Sequence, residues 1–273
     1  MLSHVRDWKP RSALKRWGFR VLPSSSALLR EALDLLTPWD SGLPLRRLGG
    51  QGDGGYLVPD DLSGIEALLS PGVAESWEFE RFVGDSLFIP SYMIDGSVDA
   101  PPGLTELQHF ERLWLGTTSN SQSISLADWV MAVSTTHLGD LMLQMDIEGA
   151  EYRILSHAPQ ATLRRFRVVV VEYHGLDWML TYPALRFRIL PALRQMAVHF
   201  EVVHVHPNNC CGTVQIGGVE VPRVLEVTYI RRDRIRNGQP QRAELPHPLD
   251  RDCVPSNPSV ELGPRWPQSD LRD

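Results

Sequence analysis

The sequence has few lysines, few cysteines and no long apolar run. Only Lys9 and Lys15 of its 27 basic residues are lysines, a bias that reports base composition rather than chemistry. Its three cysteines, Cys210, Cys211 and Cys253, form no CxxC pair and no disulfide framework. The adjacent Cys210 and Cys211 would bridge only with strain, so the expectation is reduced thiols in a cytoplasmic setting. No apolar run is long enough to cross a bilayer, and the first residues lack a signal-type apolar stretch. An excess of positive charge is also missing. The formal net charge is −6 with a pI near 5.9, so no general cationic field exists to hold a phosphate backbone, and nucleic acid is excluded as a non-specific partner.

What the chain does have is core-forming material: 273 residues, 42% of them hydrophobic, enough for one large domain or two small ones. Residues 1–41 read as a basic N-terminal arm and a helix. The first 20 residues carry a net charge of +5, interleaved with Trp8, Leu14, Trp17 and Phe19, a pattern suited either to peripheral membrane contact or to a charged arm covering the domain. Ser24–Ser26 offer an N-cap, and apolar residues from Leu28 to Leu36 follow helical spacing until Pro38.

From Ile65 onward, apolar runs alternate with longer amphipathic stretches, the mark of βα units around a mostly parallel sheet. The predicted strands are Ala67–Ser70, Ser86–Ile94, Phe110–Gly116, Leu141–Asp146, Val168–Tyr173, Phe200–His206 and Val224–Arg231. The connection before the last of these is short and glycine-rich, with no room for a crossover helix, so that strand should enter antiparallel near one edge. The α/β domain is expected over residues 42–238. Residues 239–273, with seven prolines between 240 and 273, read as an extended tail that could wrap back over it.

In such a sheet ligands bind beyond the carboxyl ends of the strands. Gly72 and Val73 form a turn after the first strand, leading to a helix that carries Glu78. Asp95-Gly96 ends the second strand 23 residues after Gly72, a spacing suited to a carboxylate on a ribose diol. The turn has one glycine where a dinucleotide fingerprint has three, which argues against an NAD enzyme. The fourth strand leads into Asp146-Ile147-Glu148-Gly149-Ala150-Glu151, the fifth ends in Glu172-Tyr173-His174, and the sixth ends in His206-Pro207-Asn208-Asn209. Two chemistries follow from these acids and histidines. Asp146, Glu172 and His206 could ligate a hard divalent ion such as Mg2+ or Mn2+, or a carboxylate–histidine pair could serve as general base. His204 alternates with His206 and reads as a packed histidine.

The Asp146–Glu151 segment resembles the D-[IV]-E-G-A-E hallmark of the FkbM-like family of S-adenosylmethionine-dependent methyltransferases. Asp53-Gly54-Gly55-Tyr56, Glu172-Tyr173-His174, His206–Asn209 and Glu226–Tyr229 extend the resemblance over about residues 46–235. It implies the class I methyltransferase fold, a Rossmann-like seven-stranded sheet whose last strand is antiparallel, with helices on both faces. It also implies S-adenosyl-L-methionine as cofactor, with Gly72 near its methionine part, Asp95 on its ribose, Asp146 beside the transferred methyl and Glu148 near the acceptor. Asp53–Tyr56 would close over the site, although a D-G turn between two strands reads equally well there. Many members carry lysine where this chain has Gln144, which leaves His174 or His206 to assist deprotonation. The expected activity is O-methylation of a hydroxyl on a sugar, glycan or related small molecule. The alternative is a non-catalytic binding or scaffold subunit of a glycan or metabolite assembly system.

Overall fold

The structure is a computed structural model that describes residues 22–74, 76–216, 218–237, 241–263 and 266–267. The basic segment of residues 1–20, and with it the membrane-contact expectation, lies outside the described residues. No described helix is long and apolar enough to cross a membrane.

A seven-stranded sheet forms the centre. Its strands are β3 (Ile65–Pro71), β4 (Ser91–Ile94), β5 (Gln108–Glu111), β8 (Asp140–Met145), β9 (Phe166–His174), β10 (Phe200–Pro207) and β13 (Val224–Arg231), in the order β10-β13-β9-β8-β3-β4-β5. Only β13 is reversed: it pairs antiparallel with both β10 and β9, while the pairs from β9 to β5 are parallel. That order, with helices present and a reversed strand inserted next to the edge, is the expected Rossmann-like class I arrangement. The hairpin β11 (Thr213–Ile216) and β12 (Val219–Pro222) fills the short connection before β13. A second hairpin, β1 (Leu45–Gly49) and β2 (Gly55–Pro59), puts Asp53-Gly54 in its turn.

Alternation in the central strands divides the core between the two faces. Val169 and Val171 of β9 join one apolar cluster with Leu141, Leu143 and Met145 of β8. Val168, Val170 and Met142 join the other. The larger cluster takes in α1 (Ser26–Leu35), α3 (Leu126–Val133), α4 (Glu151–His157) and α5 (Leu190–Ala197). The smaller is closed by the β1–β2 hairpin and α2 (Glu78–Leu87). The Ser25 hydroxyl caps α1 by accepting from the Leu28 amide.

Three expectations need correction. Ser86 and Leu87 belong to α2, because Phe79, Glu80 and Val83 bury one helical face as far as Phe88, whose left-handed backbone (φ 56°) stops the helix. The strand there is confined to Ser91–Ile94. Phe110–Gly116 divides as well: a turn in which the Leu113 amide bonds the Glu111 carbonyl at 2.9 Å separates β5 from β6 (Trp114–Gly116), which leaves the main sheet to pair with β7 (Ser123–Ser125). Finally, Cys210 and Cys211 are joined in a vicinal disulfide where two thiols were expected.

After β13 the chain crosses back over β10 and β13. Asn209 holds it from below: its amide group donates to the Val254 carbonyl at 2.9 Å and accepts from the Val254 amide at 2.8 Å. Leu245, Cys253, Leu262 and Trp266 are buried on the way.

Candidate active site

Chain order reverses between β3 and β8, the switch point where open α/β sheets bind ligands. Gly72 leaves β3 there with φ +87°, and a Cβ would fall 1.6 Å from the Asp146 carbonyl oxygen. Glycine is therefore demanded by the approach of two strand ends, which also join through the Asp146 amide and the Pro71 carbonyl at 3.3 Å. A pocket of about 80 Å³ opens at this junction, lined by Gly54, Gly72, Val73, Ser76 and Asp146, with Asp53 at its mouth and Tyr56 and Phe79 behind. It is sized for one end of an elongated ligand.

The floor of the pocket is polar and fully occupied. Ser70 Oγ meets a Glu80 carboxyl oxygen in a short contact and lies 2.6 Å from Gln144 Oε1, while Gln144 Nε2 donates to the Tyr56 hydroxyl at 3.2 Å. Gln144 thus links Ser70 to Tyr56. Burial pushes Glu80 above the usual carboxylate range. Glu78, one of the expected cofactor residues, is exposed on the same helix, its carboxylate standing against Gly50; Glu80 lines the pocket in its place.

Asp95 is buried at the tip of β4. Its Oδ2 accepts from the Ala74 amide at 3.0 Å, and its Oδ1 accepts from the Ser97 amide and hydroxyl at 2.7 and 2.6 Å. A carboxylate has about four acceptor positions, so capacity for a hydroxyl donor remains. Gly96 lies flat against Trp114, whose ring would meet a Cβ at 2.3 Å. Trp114 itself is 54% exposed.

On the other side, four carboxylates surround His174. Nδ1 lies 3.1 Å from Glu151, and Nε2 lies 3.5 Å from Glu148, 3.7 Å from Asp146 and 3.8 Å from Glu172. Glu151 also accepts from the Ile147 and Gly149 amides at 3.2 and 3.0 Å, so it shapes the loop in which Glu148 takes a left-handed backbone (φ 53°). Burial disfavours a charge on His174, but hydrogen bonding and attraction to Glu151, Asp146 and Glu148 outweigh it and raise the pKa to about 9. Burial raises Asp146 to about 7, with His174 opposing and Glu148 and Glu151 reinforcing. Glu172 is pushed well above its usual range by burial and by Asp146 and Glu226, while Asn208 Nδ2 donates to it at 2.9 Å. Asp146 Oδ1, Glu151 Oε2 and Glu172 Oε2 are buried without a hydrogen-bond partner. Three unpartnered carboxylate oxygens around one imidazolium match a cationic ligand group or hydroxyl donors.

Asp146, Glu148 and His174 each offer a ligand atom within one 4.8 Å cluster. The expected metal set of Asp146, Glu172 and His206 does not assemble. His206 is aligned with Glu226, and Glu226 with Glu172, so a whole strand separates His206 from Glu172. Its Nε2 bonds the Arg251 carbonyl at 2.8 Å. Between the two expected histidines, it is His174 that stands beside Asp146.

Residues 96–202 match the family model of the Methyltransferase FkbM domain. The match includes the Asp146–Glu151 and Glu172–His174 segments. Asp53–Tyr56, His206–Asn209 and Glu226–Tyr229 fall outside it. Among solved structures, the fibrillarin/Nop5p complex aligns over 62% of this chain and 74% of its own, at 15% identity and a TM-score of 0.37. A variant of the 16S rRNA (adenine(1408)-N(1))-methyltransferase from Catenulisporales acidiphilia aligns over 68% and 97%, at 13% identity and a TM-score of 0.31. The plantazolicin methyltransferase BpumL, in complex with a triazolic desmethylPZN analog and SAH, aligns over 61% and 76%, at 10% identity and a TM-score of 0.30. No curated protein matches the chain. The domain match supports S-adenosylmethionine-dependent methyl transfer as the activity.

Proposed function

We propose that this chain, with its FkbM methyltransferase domain match over residues 96–202, is an O-methyltransferase acting on a hydroxyl of a sugar, glycan or related small molecule. The observation that carries the reading is Asp146: a carboxylate at the switch point of the sheet, with an unpartnered Oδ1 and a pKa lifted to about 7.

The unpartnered acids and the glycine-lined pocket fit S-adenosyl-L-methionine. Gly54, Gly72 and Ser76 would hold its methionine end, Asp95 its ribose and Trp114 its base, and when bound it supplies an electrophilic methyl group. The protein's own task is to place the acceptor and take its proton. Asp146 takes that proton, because a carboxylate titrating near neutrality is a better base than an ordinary one. His174 holds the Asp146 and Glu148 carboxylates in place as an imidazolium, and Glu151 orients His174 through Nδ1. The Glu148 carboxylate accepts from a further hydroxyl, which favours a polyol acceptor.

Assistance by Mg2+ or Mn2+ would use Asp146, Glu148 and His174. In a methyl-transfer assay screened over sugar and small polyol acceptors, added Mg2+ or Mn2+ is expected to leave the rate unchanged, and tenfold stimulation would move the mechanism to the metal. The reading fails if a broad hydroxyl-acceptor screen with labelled cofactor shows no transfer while an amine acceptor is methylated.

A further inference from the structure

Away from the candidate active site, a second group of ligand-type side chains lies beneath the C-terminal segment. His206 on β10 and Glu226 on β13 are register partners. Cys253, from the segment that crosses them, places Sγ 3.0 Å from Glu226 Oε1. All three residues are buried, and one ligand atom from each falls within a common 4.8 Å cluster. Nothing in the methyl-transfer chemistry uses Cys253 or Glu226.

The geometry points to a zinc site formed by His206, Glu226 and Cys253, which fastens the C-terminal segment across β10 and β13. A thiolate, an imidazole and a carboxylate form a donor set suited to zinc rather than to Mg2+ or Ca2+. Tetrahedral zinc with bonds of about 2.0–2.3 Å keeps its ligand atoms about 3.3–3.7 Å apart, so these side chains need move only slightly. His206 is prepared for the role. Its Nε2 is committed to the Arg251 carbonyl at 2.8 Å, which leaves Nδ1 as the lone-pair nitrogen, the arrangement by which outer-shell carbonyls orient metal-bound histidines. Asp250 Oδ1, bonded to His204 Nε2 at 2.9 Å, lies 3.7 Å from that Nδ1.

Charge also favours the ion. Two anions and a neutral imidazole balance Zn2+. The facing cation, Arg47, already donates Nε and Nη2 to the Gly50 and Gly52 carbonyls at 2.8 Å each. On binding, the Cys253 S–H and any proton on Glu226 dissociate to solvent, metal–sulfur and metal–oxygen bonds form, and no electrons are transferred.

The test is titration of the metal-stripped full chain with Co2+, with Zn2+ in competition. One equivalent of Co2+ should produce a thiolate-to-cobalt charge-transfer band that one equivalent of Zn2+ abolishes. Cys253→Ser should lose the band. Asp146→Asn should keep it, because the cluster at His174 contains no sulfur, and a Cys210→Ser, Cys211→Ser double variant should keep it too. Should Cys253→Ser not fold, His206→Gln and Glu226→Gln, which retain the thiol, are each expected to weaken Co2+ binding at least about tenfold. No metal uptake by the folded wild-type chain, a band that survives Cys253→Ser, or unchanged affinity in both of the other variants overturns the site.

Discussion

Glu151 shows how much of the candidate site depends on one side chain. It is fully buried, and its Oε1 serves two loop amides and His174 together. In sequence it reads as a first-turn acid of α4, favoured there by the helix dipole; its work on the preceding loop arises from Gly149 (φ +97°) and Glu148 turning the amides toward it. Glu151→Ala would leave those donors without a partner, and urea unfolding should show a loss of about 2–4 kcal/mol. Asp146 carries a different prediction. Asp146→Asn keeps size and shape but removes the base, so kcat should fall at least about a hundredfold. In the parent chain the rate should rise with pH to a plateau above about pH 7, following release of the Asp146 proton, and the variant should lose that dependence. A flat parent profile would remove Asp146 from the base role.

At the scale of elements, β8 and β9 were legible because strands buried on both faces must be continuously apolar, and Val168–Val171 admits little else. The reversed β13 was legible from the short connection before it. The α2 boundary was not: Ser86–Ile94 contains β-formers, and its division depends on Phe88 taking a left-handed turn. In the site, the spacing of Asp95 and of the Asp146–Glu151 segment identified strand ends, but neighbour relations across the sheet were hidden. His206 and His174 both end strands, and only the insertion of β13 between β9 and β10 separates them. The role of Cys253 was equally hidden, since its proposed partners lie 27 and 47 residues upstream. The crossing segment carries the element-scale prediction. Deleting residues 241–273 exposes the surface now covered by Leu245, Leu262 and Trp266 and removes the partners of Asn209, so the truncated chain should unfold at a clearly lower urea concentration. An unchanged midpoint would show that the segment contributes nothing to the domain.

Across the whole molecule, ion pairs and unpaired acids are segregated. Asp61 and Asp140 at the amino ends of the strands are matched by Arg167, Arg231 and Arg234, whereas the acids at the carboxyl ends outnumber their cations. Two raised pKa values make that polarity a stability statement. The folded chain keeps the Asp146 proton from its ordinary 3.8 up to about 7, and the His174 proton from 6.5 up to about 9, ranges over which the unfolded chain has released both. Both contributions are therefore present at low pH and lost as pH rises through the folded values. Asp250, held below its usual range by the His204 hydrogen bond against the cost of burial, acts in the opposite sense but only at more acidic pH. Unfolding free energy should fall by several kcal/mol between pH 5 and pH 9, with a flatter profile in an Asp146→Asn, His174→Gln double variant. The central claim is that the switch-point cleft between Gly72, Asp95 and Asp146 holds S-adenosyl-L-methionine, and calorimetric titration of that cofactor into the full chain tests it most directly. Saturable one-to-one binding that weakens at least about tenfold in Asp95→Ala is the predicted result; no heat of binding at millimolar cofactor, or equal affinity in the variant, would contradict it.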